Sequence, residues 1–432
     1  MADCKTMKCV KMFECYPKDL QYIIDYEFPA LPSEGAIIKV MSAGVCHTDV
    51  HMWTEPQKRP YIPGHEIAGS IHAIGDSAFN PDGLALGDKV AVYSLLGCGK
   101  CKYCIKGNAS WCNAPPLENK ALGLMTNGGF AEYVAVPLFA FLIKLPDSIE
   151  VEAAGVLGCG ALTSYNAVQH AMTRIDPILS VRDRCGILVI GVGGLGLYAI
   201  KLIKALVLSK YGDRVELVGS DAIESKLRLA SDFGCSKTIH LDMGCSEDEK
   251  LEKVKSAFHE DGPHIIIDFV GAKQTFNMAY KSALPGGVII CVGVHDNDTV
   301  EMELPTLIRC VIGIQAIYVG SLQQMKEVVD LVASGQMTPI SYKLHKLSEV
   351  PQLMHKLKNG EIEGRAIITP HIEWVSNDTQ AIGLSHFMKS DHVIFVIFFP
   401  FSIALYHFQY DMFCNGINKI HDAGDVIICT TF

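Results

Sequence analysis

The stretch Gly191-Val-Gly-Gly-Leu-Gly196 lies between a short apolar run, Gly186–Ile190, and a helix-periodic segment, Leu195–Leu208. A strand that enters a glycine-rich turn and leaves as a helix opens a βαβ unit, and this order constrains the fold more than any other feature. The glycines permit the tight turn. They also let a pyrophosphate approach backbone N–H groups at the helix N-terminus. Further apolar runs at Val215–Gly219, Ile265–Phe269 and Val288–Val292 alternate with helical patterns. That alternation predicts an α/β unit whose parallel sheet is covered on both faces. Asp221 ends the second strand, 25 residues after Gly196. A carboxylate there can accept from both ribose hydroxyls and repels a 2′-phosphate, which favours NAD over NADP. A plain helix cap is the competing reading of Asp221.

The first 150 residues have a different rhythm. Ala36–Ser42, Ile67–Ile74, Lys89–Tyr93 and Phe130–Pro137 read as short strands broken by Gly and Pro, which predicts an antiparallel, barrel-like unit. Residues 320–358 read as helical, with Leu322, Met325, Val328, Val329 and Val332 on one face. Arg365–Thr369 reads as a last strand before Pro370. A chain of 432 residues accommodates two such units. With 37 Lys and Arg against 47 Asp and Glu, the net charge is -10, which disfavours a nucleic-acid partner.

Sixteen cysteines in a chain this long point to metal or redox chemistry rather than a disulfide scaffold. Cys98, Cys101 and Cys104 recur at intervals of three, and Cys112 follows eight residues later. Four thiolates in one small lobe can close a tetrahedral zinc site with no open position, which makes a structural role. A second set is more dispersed. Cys46 and His65 lie 19 residues apart, and Cys159 sits in Leu157-Gly-Cys-Gly-Ala-Leu-Thr. Three ligands with one open position is the pattern of a catalytic zinc. Spacing alone leaves buried core thiols as the simpler reading.

Taken together, Cys46-His-Thr-Asp, Gly64-His-Glu, the four-cysteine lobe, Cys159-Gly-Ala-Leu-Thr-Ser-Tyr165 and the Gly191–Gly196 fingerprint resemble the zinc-containing alcohol dehydrogenases of the medium-chain dehydrogenase/reductase superfamily. The resemblance covers about residues 5–370. It implies a Rossmann doubly wound parallel sheet domain plus a GroES-like, mostly antiparallel β-barrel catalytic domain. It also implies the boundaries: 1–160 catalytic, with the structural zinc lobe at 97–113; 161–317 NAD-binding; 318–370 returning to the catalytic domain. Two zinc ions per chain follow, one on Cys46, His65 and Cys159 and one on Cys98, Cys101, Cys104 and Cys112. The implied reaction is reversible hydride transfer from an alcohol to NAD, with zinc polarising the substrate oxygen. Thr48 bonds the alcohol, and the proton leaves through the cofactor ribose to His51. Asp49 orients His65, and Glu66 stands beside the zinc. His47, Gly191, Gly193, Gly194, Leu195, Gly196, Asp221, Lys226 and Arg365 correspond to cofactor-binding positions. Trp53 and Tyr93 match positions lining the substrate pocket.

Other expectations are coarser. The N-terminus, Met1-Ala-Asp-Cys-Lys, lacks a signal-peptide pattern, so a cytoplasmic setting is expected. The short run from Cys112 to Gly128 resembles the tetrameric branch of the family, which favours a homotetramer over a dimer. Polyol, cinnamyl-type and formaldehyde dehydrogenases are alternatives; Cys159 argues against the first and Asp221 against the second. A non-catalytic structural homologue would have lost ligands that are all present here. Residues 371–432 match nothing in the family, hold 8 of the 18 Phe and are expected to form a poorly ordered extra tail. Their most apolar part, Val393–Tyr406, is 14 residues with Pro400 inside, too short for a membrane span. Truncation after Pro370 is expected to leave alcohol-dependent NAD reduction at the level of the full chain. Loss of that activity would show that the tail belongs to the fold.

Overall fold

The computed structural model describes residues 5–371, apart from 14–19, 55–59, 113–120, 125, 243 and 296–297, together with five strands between 385 and 430. Met1–Ile372 forms one compact unit and Glu373–Phe432 a second.

In the first unit the chain begins with strands β1 (Thr6–Met12), β2 (Leu20–Glu27), β3 (Ala36–Gly44), β4 (Glu66–Ile74), β5 (Lys89–Val92), β6 (Tyr133–Val136) and β7 (Leu142–Lys144). Six more follow: β8 (Cys185–Ile190), β9 (Val215–Asp221), β10 (Lys237–His240), β11 (Ile265–Asp268), β12 (Val288–Cys291) and β13 (Gly313–Ala316). Two close the unit, β14 (Tyr342–His345) and β15 (Arg365–Ile368).

Strands β8 to β13 form a parallel sheet in the order β10-β9-β8-β11-β12-β13. The order reverses between β8 and β11, where a doubly wound sheet opens its ligand crevice. Alternate residues of β8 enter two different cores. Ile187 and Val189 join the large core, whereas Leu188 and Ile190 join a smaller one with Val218, Ile266 and Ile289. A strand buried on both faces must be apolar throughout, and every residue of β8 is buried.

The second sheet runs β14-β15-β3-β4-β5-β7, with β6 also on β3. Its pairings are antiparallel except β14 with β15. The large core is shared: Val10, Ile38 and Leu122 from the first part belong to the same cluster as Ile187 and Ile200. The register sets Gly44 opposite both Glu66 and Ile367. The end of β3 and the start of β4, close in sequence, thus meet β15, which lies some three hundred residues later.

The helical reading of 320–358 is corrected. A helix spans Leu322–Ala333 and another Val350–Lys358, but β14 lies between them. Gly335, at φ 74°, stops the first helix in a conformation that glycine adopts without strain. Tyr342–His345 then gains its backbone partners from β15.

The second unit is described as an antiparallel three-stranded sheet, β16 (Ser385–Lys389), β17 (His392–Phe399) and β18 (Ser402–Gln409), and a separate pair, β19 (Lys419–Ala423) and β20 (Val426–Thr430). The remaining residues of 371–432 on which the expectation of poor order rests lie largely outside the described ones. No helix among the described residues is long and apolar enough to cross a membrane.

The fingerprint glycines fit tightly. Gly191 has φ 82°, and a Cβ on Gly196 would collide with the Gly191 carbonyl oxygen. Gly196→Ala is expected to destabilise the protein by about 1–3 kcal/mol through overpacking. An unchanged urea midpoint would contradict this packing account.

Candidate active site and metal centres

Cys46 leaves the end of β3 and directly precedes the helix His47–Thr54. His65 precedes β4, and Glu66 is its first residue. The Asp49 carboxylate joins these segments. Its Oδ2 accepts the Cys46 backbone N–H at 3.0 Å, and its Oδ1 lies 3.0 Å from His65 Nδ1. Asp49 is itself buried. With Nδ1 engaged, His65 is left with a buried Nε2 that has no hydrogen-bond partner. Cys159, at the N-cap of the helix Gly160–Leu179, completes the group. Ligand atoms of Cys46, His65, Glu66 and Cys159 all lie within 4.8 Å of one another, and all four residues are buried.

Such a cluster is costly without an ion. A buried unpartnered polar atom costs about 1–3 kcal/mol. Here Nε2 of His65 and Oε1 of Glu66 both lack partners. Two sulfurs and an imidazole nitrogen form a donor set that suits zinc. In the metal-free protein the Cys159 thiol, hydrogen-bonded to Cys46, holds the Cys46 thiol well below its usual range. Burial opposes a charged His65, but the charge and hydrogen bond of Asp49 hold its pKa well above the ordinary value. Burial pushes Glu66 up to about 7.

Glu66 Oε2 pairs with Arg365 Nη2, which also donates to the Val45 carbonyl at 3.2 Å. Arg365 is 5% exposed. A Cβ on Gly194 would meet its Cδ and Nη1 at 2.9 Å. The guanidinium thus stands between the metal group and the first turn of the helix Gly194–Ile203. Its sequence-based role was phosphate contact alone; the structure adds the carboxylate partner.

The second group is Cys98, Cys101, Cys104 and Cys112, again within 4.8 Å of one another. The Cys101 N–H donates to Cys98 Sγ at 3.3 Å, the Cys104 N–H to Cys101 Sγ at 3.5 Å and the Cys98 N–H to Cys112 Sγ at 3.5 Å. Backbone N–H groups aimed at sulfur favour thiolate. Those of Lys100 and Cys101 bring the Cys98 thiol down to about 6. These two groups are the only ones of this kind among the described residues.

At the dinucleotide fingerprint, a Cβ on Gly193 would meet nothing within 4 Å, so the turn is open on that side. Asp221 Oδ2 accepts the Val192 N–H at 3.0 Å and Oδ1 the Ile223 N–H at 2.9 Å. Both oxygens keep a further lone pair for ribose hydroxyls. The Leu195 carbonyl accepts from Ser164 Oγ at 2.7 Å. His47 and His51, one helical turn apart, have ring centroids 5.5 Å apart. Desolvation of the His47 ring, then His51 and Lys226, lower its pKa, so Lys226 lies within electrostatic reach of it. Thr48 is half-buried, with Oγ1 3.7 Å from Cys46 Sγ.

Comparison with known proteins agrees with this geometry. A family model described as the alcohol dehydrogenase GroES-like domain matches residues 32–147, and one described as zinc-binding dehydrogenase matches 194–334. An NAD-dependent alcohol dehydrogenase of Saccharolobus solfataricus is 30% identical over 377 residues, covering 84% of this chain and all of the relative. The chain belongs to the zinc-containing alcohol dehydrogenases of the medium-chain dehydrogenase/reductase superfamily. Another relative, a D-arabinose 1-dehydrogenase (NADP(+)) of the same organism, is 30% identical over 357 residues, 81% of this chain and 94% of the relative. The crystal structure of an alcohol dehydrogenase from Aeropyrum pernix superposes with a TM-score of 0.72 at 27% identity, covering 84% of this chain and 100% of that one.

The two expected pocket residues of this dehydrogenase are buried and engaged. Tyr93 is 0% exposed, and its hydroxyl donates to the Gly320 carbonyl at 2.7 Å. Trp53 packs edge-on against His355, with centroids 4.7 Å apart. A residue not singled out in the sequence, Tyr318, lies within electrostatic reach of His65 and Cys159. It is 59% exposed, yet its hydroxyl end is crowded enough that burial raises its pKa, with His65 and Cys159 also acting on it. Only its place just after β13 could have flagged it.

Asp49→Asn keeps the shape of the bridge but removes its charge. It is expected to weaken metal binding at Cys46, His65 and Cys159 by about 10–100-fold. Chelator competition with metal counting checks this: the ion on the Cys98 lobe should resist chelation as before. Equal loss from both groups would count against the assigned role of Asp49.

Proposed function

We propose that this enzyme transfers hydride reversibly between a primary or secondary alcohol and NAD, giving an aldehyde or ketone. One observation carries the reading. A single buried carboxylate, Asp49, fixes both Cys46 and His65 and leaves His65 Nε2 unpartnered in a group that includes Cys159. Cys46, His65 and Cys159 would hold the catalytic zinc, and the Cys98, Cys101, Cys104 and Cys112 lobe a structural one. When bound, zinc supplies a Lewis acid for the substrate oxygen and NAD supplies the hydride acceptor.

The chain's own residues do the rest. The Thr48 hydroxyl, beside Cys46, accepts the hydrogen bond of the alcohol. His51 serves as the base that passes its proton outward. Glu66 stands beside the zinc ligands with Arg365 as its countercharge. Arg365 and Lys226 supply positive charge around the open Gly191–Gly196 turn, the His47 ring offers a hydrogen-bond donor to the cofactor phosphate, and Asp221 selects NAD by excluding a 2′-phosphate. The catalytic domain comprises 1–160 and 318–370, the NAD-binding domain 161–317, and 371–432 is an addition to them.

A homo-oligomer, with a tetramer favoured, fits the exposed edge strand β13. Leu304, Ile308, Val311 and Ile314 around it are 40–70% exposed, and an open apolar edge invites a second copy. A cytoplasmic setting fits the twelve described cysteines, all of which are free.

Kinetics over primary and secondary alcohols with NAD and with NADP test the reading. Cys46→Ser is expected to abolish turnover, to lose one of two zinc ions per chain and to melt within a few degrees of the parent. A parent that holds two zinc ions but never reduces NAD with any alcohol would refute the proposal. So would a Cys46→Ser variant that unfolds, because the catalytic and structural sites would then be misassigned.

A further inference from the structure

A cavity of about 200 Å³ opens where the helix Glu224–Phe233, which follows β9, meets the start of β14. Ser225, Arg228 and Leu229 line it from the helix, Ser341, Tyr342 and Lys343 from the strand side, and Glu363 from the loop before β15. The helix packs against β9 and β10 of the parallel sheet, whereas β14 is the edge of the second sheet. The cavity therefore lies between the two halves of the first unit.

Its walls are fixed by the backbone. The Arg365 N–H donates to the Ser341 carbonyl at 3.0 Å, and Tyr342 stands opposite Arg365 in the register of β14 on β15. Gly364, at φ 69°, passes so close that a Cβ there would collide with the Ser341 carbonyl oxygen. The Tyr342 hydroxyl donates to Glu150 Oε2 at 3.0 Å, which anchors its ring as a wall. On the helix side, a Cβ on Gly360 would meet Ile223 Cδ1 at 3.2 Å, so the loop before β15 rests against the start of the helix.

The charges that line this space are unspent. Arg228, Lys343 and Glu363 have no ion-pair partner among the described residues. Two cations and one carboxylate thus share a cavity with the hydroxyl-bearing Ser225 and Ser341. The space is also separate from the dinucleotide turn. Residues two apart on a helix point to nearly opposite sides, so Arg228 faces away from Lys226, whose charge reaches His47.

We propose that this cavity binds a small phosphomonoester that carries an amine or hydroxyl, at a site distinct from the cofactor's. A guanidinium grips phosphate oxygens in bidentate fashion, and an ammonium adds a point charge. The serine hydroxyls can donate to the remaining oxygens. Glu363 is the selector: it repels a bare phosphate and accepts from a donor on the ligand body. The volume is below the roughly 300–1,000 Å³ of a drug-sized pocket, which restricts that body to a few carbon atoms. A ligand held from both sides ties the helix to β14 and stabilises the folded unit by linkage. The inference goes beyond the alcohol dehydrogenase reading and does not depend on it.

The test uses the zinc-loaded full chain saturated with NADH, so that the fingerprint turn is already occupied. Phosphoethanolamine, which has no alcohol to oxidise, is titrated calorimetrically against inorganic phosphate. The parent is expected to bind phosphoethanolamine at a single site and more tightly than phosphate. Arg228→Gln and Lys343→Gln should each weaken it about 5–10-fold, as for one charge-assisted hydrogen bond at an exposed site. Glu363→Gln should weaken phosphoethanolamine and tighten phosphate. The ligand should raise the melting temperature of the parent and not that of Arg228→Gln. Absence of binding to the NADH-saturated parent, or equal binding by the parent and both cation variants, overturns the proposal. A parent that binds phosphate as tightly as phosphoethanolamine also overturns it, because Glu363 then selects nothing. Alcohol-dependent NAD reduction by Arg228→Gln and Lys343→Gln should stay near the parent's, so failure of this site leaves the dehydrogenase reading standing.

Discussion

The bridge made by Asp49 is the interaction on which the rest of the site depends. One carboxylate accepts a backbone N–H from the Cys46 turn and holds Nδ1 of His65. It determines the start of the helix His47–Thr54 and the rotation of the imidazole at once. Because the carboxylate is buried, its interactions are weakly screened and its geometry is closely held. Thr48 and His51 ride on the same helix, so their places relative to the metal group follow from that single contact. A metal ligand whose other ring nitrogen is tied in this way has a fixed tautomer and greater basicity.

The second organising element is the shared core. Residues of the antiparallel part and one face of the parallel sheet belong to one hydrophobic cluster. Burial on that scale makes Met1–Ile372 one compact unit even though its two sheets have different topologies. The metal group sits where β3, β4 and β15 end, and the fingerprint turn faces it through Arg365 and Gly194. The two chemistries that the sequence announces separately, thiolate ligation and dinucleotide binding, are thus joined by one guanidinium.

Much of this was legible from residue order. The glycine fingerprint after an apolar strand, the parallel sheet and the four-cysteine lobe follow from local spacing and periodicity, whereas the set Cys46, His65 and Cys159 came from the family resemblance. Local signals are visible because backbone conformation and ligand bite depend on near neighbours. What escaped were long-range pairings. The partner of Arg365 lies 299 residues away, and no pattern near either residue announces it. Tyr93 and Trp53 likewise have distant partners that no local pattern announces, the Gly320 carbonyl and the His355 ring. Tyr318 was passed over because an exposed aromatic after a strand carries no periodic signal. β14 was read as helix because its four residues are short and its hydrogen-bond partners belong to a strand yet to come.

The ion pair between Glu66 and Arg365 has a consequence for biogenesis. Every sulfur and nitrogen ligand of the inner metal group precedes residue 160, so those ligands emerge early during synthesis. The countercharge for Glu66, and the strand that pairs with the end of β3, are made some two hundred residues later. Until then the carboxylate faces a half-built pocket with no cation beside it. The inner pocket therefore gains its full set of charge partners only after nearly all of the first unit has been made, whereas the four-cysteine lobe is contained within fifteen consecutive residues.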